Sequence, residues 1–173
     1  MKQHQNIAVC VVGDFLYLKR NLKTFINQVR NEGEYKGDII VLTSKLAPTF
    51  LLKLDNKSNV KFLKFKKIKF DKETENSLKK INTRGQPNRH IYKNFQWHKL
   101  HLFDSRLKEW DFIFYIDINM TIHKNINPIL EIKPSRCFYA NRDYSVGEKW
   151  KLEDQFDNTH KDFHTLKHAY DLS

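Results

Sequence analysis

An α/β domain, built on an open, mostly parallel sheet with helices on both faces, is the fold this sequence predicts. Three observations carry that expectation. Short apolar runs alternate with stretches of helical spacing in the order β-α-β-α-β, the pattern of strands joined by crossover helices. The first run, Ile7 to Val12, is apolar at every position, as a strand buried on both faces must be. The chain of 173 residues suits one domain, residues 1–173, and contains no internal repeat or low-complexity linker.

The first strand, Ile7 to Val12, ends at Gly13-Asp14. From Leu16 to about Asn31, Leu18, Leu22, Phe25, Ile26 and Val29 recur at three- and four-residue spacing, which predicts an amphipathic helix with Gly33 as its stop. Asp38 to Thr43 reads as a second buried strand, residues 45 to 54 as a short helix, and Val60 to Phe65 as a third strand. Lys72 to His90 is polar and broken at Gly85-Gln-Pro87, so it is expected to be a long surface loop. Ile91 to Leu107 is expected to be one long helix carrying Phe95, Leu100, Leu102, Phe103 and Leu107. Trp110 to Ile118 is the most apolar strand and is expected at the centre of the sheet. Arg136 to Ala140 reads as another strand, and the tail from Trp150 is rich in charge and histidine.

Composition excludes several classes. With 40% hydrophobic residues and 13% aromatics the chain is globular rather than disordered. The longest apolar stretch, Ile7 to Gly13, is too short to span a bilayer, and the first thirty residues lack the pattern of a signal peptide. A cytoplasmic protein is expected. Cys10 and Cys137 cannot build a disulfide framework, and each sits in an apolar segment as a small buried hydrophobe would.

The formal net charge of +11 favours a polyanionic partner: nucleic acid, an acidic membrane or a phosphorylated small molecule. Yet 24 of the 31 basic residues are lysine and Asn occurs 15 times, a composition that an AT-rich genome also writes. The densest cluster, Lys53 to Lys72 with eight lysines, alternates with apolar residues like a solvated strand edge. No zinc-finger spacing, aromatic RNA-binding pattern or helix-turn-helix signature is present, so no nucleic-acid partner is expected.

In sheets of this kind ligands bind beyond the carboxyl ends of the strands. Two such ends carry polar residues: Gly13-Asp14, and Asp117-Ile118-Asn119. Two oxygen-bearing side chains separated by one residue leave an extended strand on the same side, and hard cations prefer oxygen donors. On spacing alone the pair reads first as Asx residues satisfying backbone groups at a strand exit, ahead of a cation site.

The wider sequence changes that reading. Tyr92-Lys-Asn-Phe-Gln-Trp-His-Lys99, then Trp110-Asp-Phe-Ile-Phe-Tyr115-Ile-Asp117-Ile-Asn119, then Asn127-Pro, resembles the donor-binding core of GT-A glycosyltransferases. It is most similar to the glycogenin and lipopolysaccharide-galactosyltransferase group. Val11-Val-Gly13-Asp14-Phe-Leu-Tyr17 is similar to the first strand and uridine-binding turn of that group, and the resemblance covers roughly residues 6 to 145.

The resemblance implies a GT-A (Rossmann-like) fold and a metal-dependent glycosyltransferase that moves a sugar from a nucleotide diphosphate, UDP foremost, to a hydroxyl acceptor on a saccharide or protein. It implies donor contacts at Val11, Gly13, Asp14, Tyr17, Lys99, Asp117 and Asp143, with Asp117, Asn119 and a C-terminal histidine, His164, on Mn²⁺ or Mg²⁺. Asn119 stands where the family has a second aspartate, and the family's C-terminal acceptor half has no match here. A non-catalytic sugar-nucleotide binder and a basic nucleic-acid-binding domain are the alternatives. His160, His164 and His168, spaced by four, read on their own as a solvated helix face, and Arg84, Arg89 and Lys93 as surface charge within reach of a diphosphate. No residue emerges as general base or nucleophile.

Overall fold

A computed structural model describes residues 6–54, 59–81 and 94–131, all within one compact unit, Met1–Ile132. Four strands form one sheet: β1 (Ile7–Val12), β2 (Asp38–Ser44), β3 (Val60–Phe65) and β4 (Phe112–Tyr115), in the order β3-β2-β1-β4. Every pairing is parallel. The α/β architecture follows, since each parallel pair needs a crossover to return the chain to the same end. Among the described residues no helix is long and apolar enough to cross a membrane.

Alternate residues of β1 and β2 feed two cores. Val9, Val11, Ile39 and Val41 pack under α1 (Phe15–Arg30), which offers Leu18, Leu22, Phe25, Ile26 and Val29. Ala8, Cys10, Val12, Ile40 and Leu42 face the other way, onto Phe65, Leu107 and Trp110. Each such large apolar side chain contributes roughly 1.5–3 kcal/mol when fully buried. Both faces are therefore covered, which is why β1 and β2 carry apolar residues at both parities. Burial also pushes the Cys10 thiol up to about 12, so it stays protonated and inert.

The helix α1 runs as its spacing predicts. Asp14 caps its start, and the Gly33 N–H closes on the Gln28 carbonyl at 2.8 Å just past its end. The segment after β2 is only a 3₁₀ turn, Thr49–Leu52, shorter than the helix expected over 45 to 54.

Three expectations need correction. Part of the expected loop Lys72 to His90 is a helix, α2 (Lys72–Ile81). Asp71 accepts the Thr74 N–H at 2.8 Å, and Glu73 and Glu75 sit in the first turn, so capping and charge start a helix that lacks a broad apolar stripe. The helix expected over Ile91 to Leu107 is instead two 3₁₀ segments, Asn94–Phe103 and Ser105–Glu109. Asp104 separates them by accepting the Arg106 N–H with its side chain. Residues three apart eclipse on a 3₁₀ helix, so Phe95, His98 and His101 form one row. His98 stacks on Phe95 at 4.1 Å and His101 on Phe65 at 3.9 Å. Finally, β4 is short and, among the described strands, outermost, because it bonds only to β1. Its ladder continues for one more bond, Ile116 N–H to the Cys10 carbonyl, before the chain turns at Asp117. A short helix, α3 (Asn127–Leu130), follows. The strand expected at Arg136 to Ala140, Cys137 and the tail from Trp150 lie outside the described residues.

Candidate functional site at the carboxyl ends of two adjacent strands

Cys10 of β1 is level with Tyr115 of β4, so the residues that follow each strand emerge side by side at one end of the sheet. This places Gly13-Asp14 next to the turn that begins at Asp117. The Asp117 carboxylate is the most heavily engaged group there. Its Oδ1 lies 3.0 Å from Lys99 Nζ, and the Tyr115 hydroxyl donates to the same oxygen. Lys99 Nζ also sits 5.1 Å from the centre of the Tyr115 ring.

Lys99, Tyr115 and Asp117 thus form one unit, drawn from a 3₁₀ segment and the end of β4. Side chains of Lys99 and Asp117 are each 41% exposed, so the pair is open to a ligand. Burial, aided by the hydrogen bond to Asp117 and its charge, drives the Tyr115 phenol far up, so Tyr115 remains a donor at any working pH.

Asp14 has a defined local task. Its Oδ1 accepts the Tyr17 N–H at 2.8 Å, fixing the first turn of α1 and the half-exposed Tyr17 ring with it. Gly13 is held by a bond from its N–H to the Leu42 carbonyl at 3.1 Å and by Thr43 Oγ1, which donates to its carbonyl at 2.8 Å. A Cβ on Gly13 would come within 2.9 Å of Leu18 Cδ2, so any larger residue here makes the Leu18 side chain shift. Val11 is fully buried beneath α1, which leaves its side chain no part in a ligand site.

Asn119 is exposed on the turn closed by the Met120 N–H and the Asp117 carbonyl at 2.9 Å. Asp117 and Asn119 alternate with the buried Ile116 and Ile118. Among the described residues no group of three or more histidine, cysteine or acidic side chains surrounds a common point. Asp143, His160, His164, His168, Arg84, Arg89 and Lys93 lie outside the described residues.

Sequence reasoning assigned no role to Tyr115, although its position two residues before Asp117, on the same side of an extended strand, signals the contact. His98 is buried in packing, 1% exposed, and has no hydrogen-bond partner on either ring nitrogen. The three-residue spacing of Phe95, His98 and His101 is the signal for that row. No protein-family model matches the chain, and no curated protein is significantly similar to it.

Proposed function

We propose that the carboxyl end of this sheet binds a nucleotide-diphosphate sugar, and that the protein is a GT-A-type glycosyltransferase using UDP-sugar donors. The observation that carries the reading is the Lys99–Tyr115–Asp117 unit beside Asp14 and Tyr17, at the end of a parallel sheet where such ligands bind. Tyr17 would stack against the base, and Asp14, with one carboxylate oxygen given to the helix cap, would offer the other to the nucleoside. Lys99 would place its ammonium against the diphosphate while orienting Asp117.

One carboxylate and one amide make a partial donor set. They fit a hard cation that takes its remaining oxygens from phosphates and water, and do not fit an all-protein cage. Asp117 and Asn119 would hold Mn²⁺ or Mg²⁺ in this shared way. When bound, such a cation offsets the charge that develops on the leaving diphosphate.

The Lys99 ammonium, 3.0 Å from Asp117, favours a second reading: a sugar-nucleotide binder in which lysine supplies the positive charge and no metal is needed. Thermal shifts of the purified protein with UDP, UDP-sugars, ADP and GDP, each with and without Mn²⁺, separate the readings. The glycosyltransferase reading expects a Mn²⁺-dependent shift with UDP, larger than with ADP or GDP, and its loss in Asp117→Ala. It also expects tighter Mn²⁺ binding in Asn119→Asp. A shift indifferent to Mn²⁺ and no donor hydrolysis support the second reading. An Asp117→Ala variant that binds UDP and Mn²⁺ like the parent overturns the assignment of this motif.

A further inference from the structure

At the amino end of the sheet one lysine, Lys61, is held by two acids. Lys61 lies 3.1 Å from Asp38 and 2.9 Å from Glu109, with Trp110 beneath its ammonium. The carboxyl end is different. The chain leaving β2 displays Leu46 at 90% and Phe50 at 80% exposure, with Leu51 beside them. Leu16, at the start of α1, and Met120, on the turn after β4, are exposed at the same end. Interleaved with them are Lys45 and Lys53, and the segment leaving β3 adds Lys66, Lys67 and Lys69. All five lysines are exposed and none forms an ion pair among the described residues. Of the acids near this end, Asp14 caps α1, Asp71 caps α2, Asp104 is paired with Arg106, Asp117 is held by Lys99 and Tyr115, and Glu73 and Glu75 lie in the first turn of α2.

The apolar turn is held in place. The Lys64 ammonium donates to the Ala47 carbonyl at 2.8 Å, Ala47 N–H bonds Ser44, and Leu51 N–H bonds Pro48. Ala47 is buried, so the backbone is anchored while Leu46 and Phe50 are presented outward. Large apolar side chains thrust into water cost free energy unless something covers them.

We propose that this end of the sheet is a contact surface for an anionic lipid bilayer, with Leu46 and Phe50 entering the headgroup–acyl boundary and the surrounding lysines meeting the lipid phosphates. Apolar side chains ringed by unpaired lysines match that interface in both polarity and charge, whereas a protein partner would leave the lysines to be matched one by one. The contact rests on exposure and charge and is independent of the nucleotide reading.

Co-sedimentation with vesicles of phosphatidylcholine alone, and of phosphatidylcholine with phosphatidylglycerol, tests it. The parent should bind the anionic vesicles, and raising the salt should weaken binding without abolishing it. The neutral vesicles should bind less. A Leu46→Ser/Phe50→Ser variant should keep the parent's melting temperature, because neither side chain packs in the core, yet lose about tenfold or more in vesicle affinity. No binding to anionic vesicles overturns the proposal. So does binding that the double variant retains, since that leaves only charge, as a nucleic-acid partner would use. Self-association that disappears in the double variant, with no vesicle binding, assigns the surface to a second copy of the chain and likewise overturns it.

Discussion

The buried His98 gives the fold a specific sensitivity to acid. Its ring stacks on Phe95 at 4.1 Å, lies edge-on to His101 at 5.2 Å, and has no hydrogen-bond partner on either nitrogen. Burial first, then the nearby His101 and Lys67 charges, lower its pKa from an ordinary 6.5 to about 4. The folded value is below the unfolded one, so the unfolded chain takes up protons first as pH falls. The stabilisation is therefore complete above about 6.5 and shrinks between there and about 4. Linkage over that interval gives a loss of roughly 2 kcal/mol at pH 5 relative to pH 8, approaching about 3 kcal/mol near pH 4.

Urea unfolding at pH 8, 6.5 and 5 would measure this, with His98→Phe as the comparison. Phe keeps the stack on Phe95 and cannot take up a proton, and it removes two buried nitrogens that lack partners. The variant should lose markedly less stability across the interval than the parent. Asp38, Asp71 and Asp104 are each held below the usual carboxylate value of 3.8, so their contributions fade only in stronger acid. His101, also lowered, is common to both proteins and cancels in the comparison. Equal losses in parent and variant between pH 8 and 5 would refute the reasoning that a neutral, enclosed His98 carries the dependence.

Other outcomes follow from the carboxyl end of β1. Asp14→Ala should cost about 1 kcal/mol of fold stability, and Asp14→Asn should restore most of it, because the amide oxygen can still accept the Tyr17 N–H; urea midpoints decide this. If Asp14 also serves the nucleoside, UDP affinity should fall in Asp14→Ala by more than the apo stability change explains, which calorimetry would read. Gly13→Ala sets a methyl 2.9 Å from Leu18 Cδ2 in a packed core, so it should destabilise by about 1–3 kcal/mol, and an unchanged melting temperature would show that Leu18 yields freely.

What the sequence revealed and what it concealed divide along physical lines. The strands β1 and β2 and the helix α1 were legible because burial is a repeated signal there. Continuous apolar runs mean two covered faces, and Leu18, Leu22, Phe25, Ile26 and Val29 mark one stripe. Asp117 was legible as a candidate for the same reason, since a charged residue that closes an apolar strand stands out by contrast. Less legible were features set by a single neighbour. Helix α2 depends on the Asp71 cap more than on a stripe, and the Phe95, His98, His101 row depends on stacking partners, of which Phe65 arrives from β3. The joining of Lys99 to Asp117 lies between these cases. Both residues could be singled out in the sequence, but their 3.0 Å approach depends on the Asn94–Phe103 3₁₀ segment bringing Lys99 to the turn after β4. Along such a segment residues three apart share a face, so the face that buries His98 is offset from the one that carries Lys99. The row that encloses one side chain therefore leaves the next, Lys99, free to meet the carboxylate, and the packing that hid the histidine is the packing that builds the site.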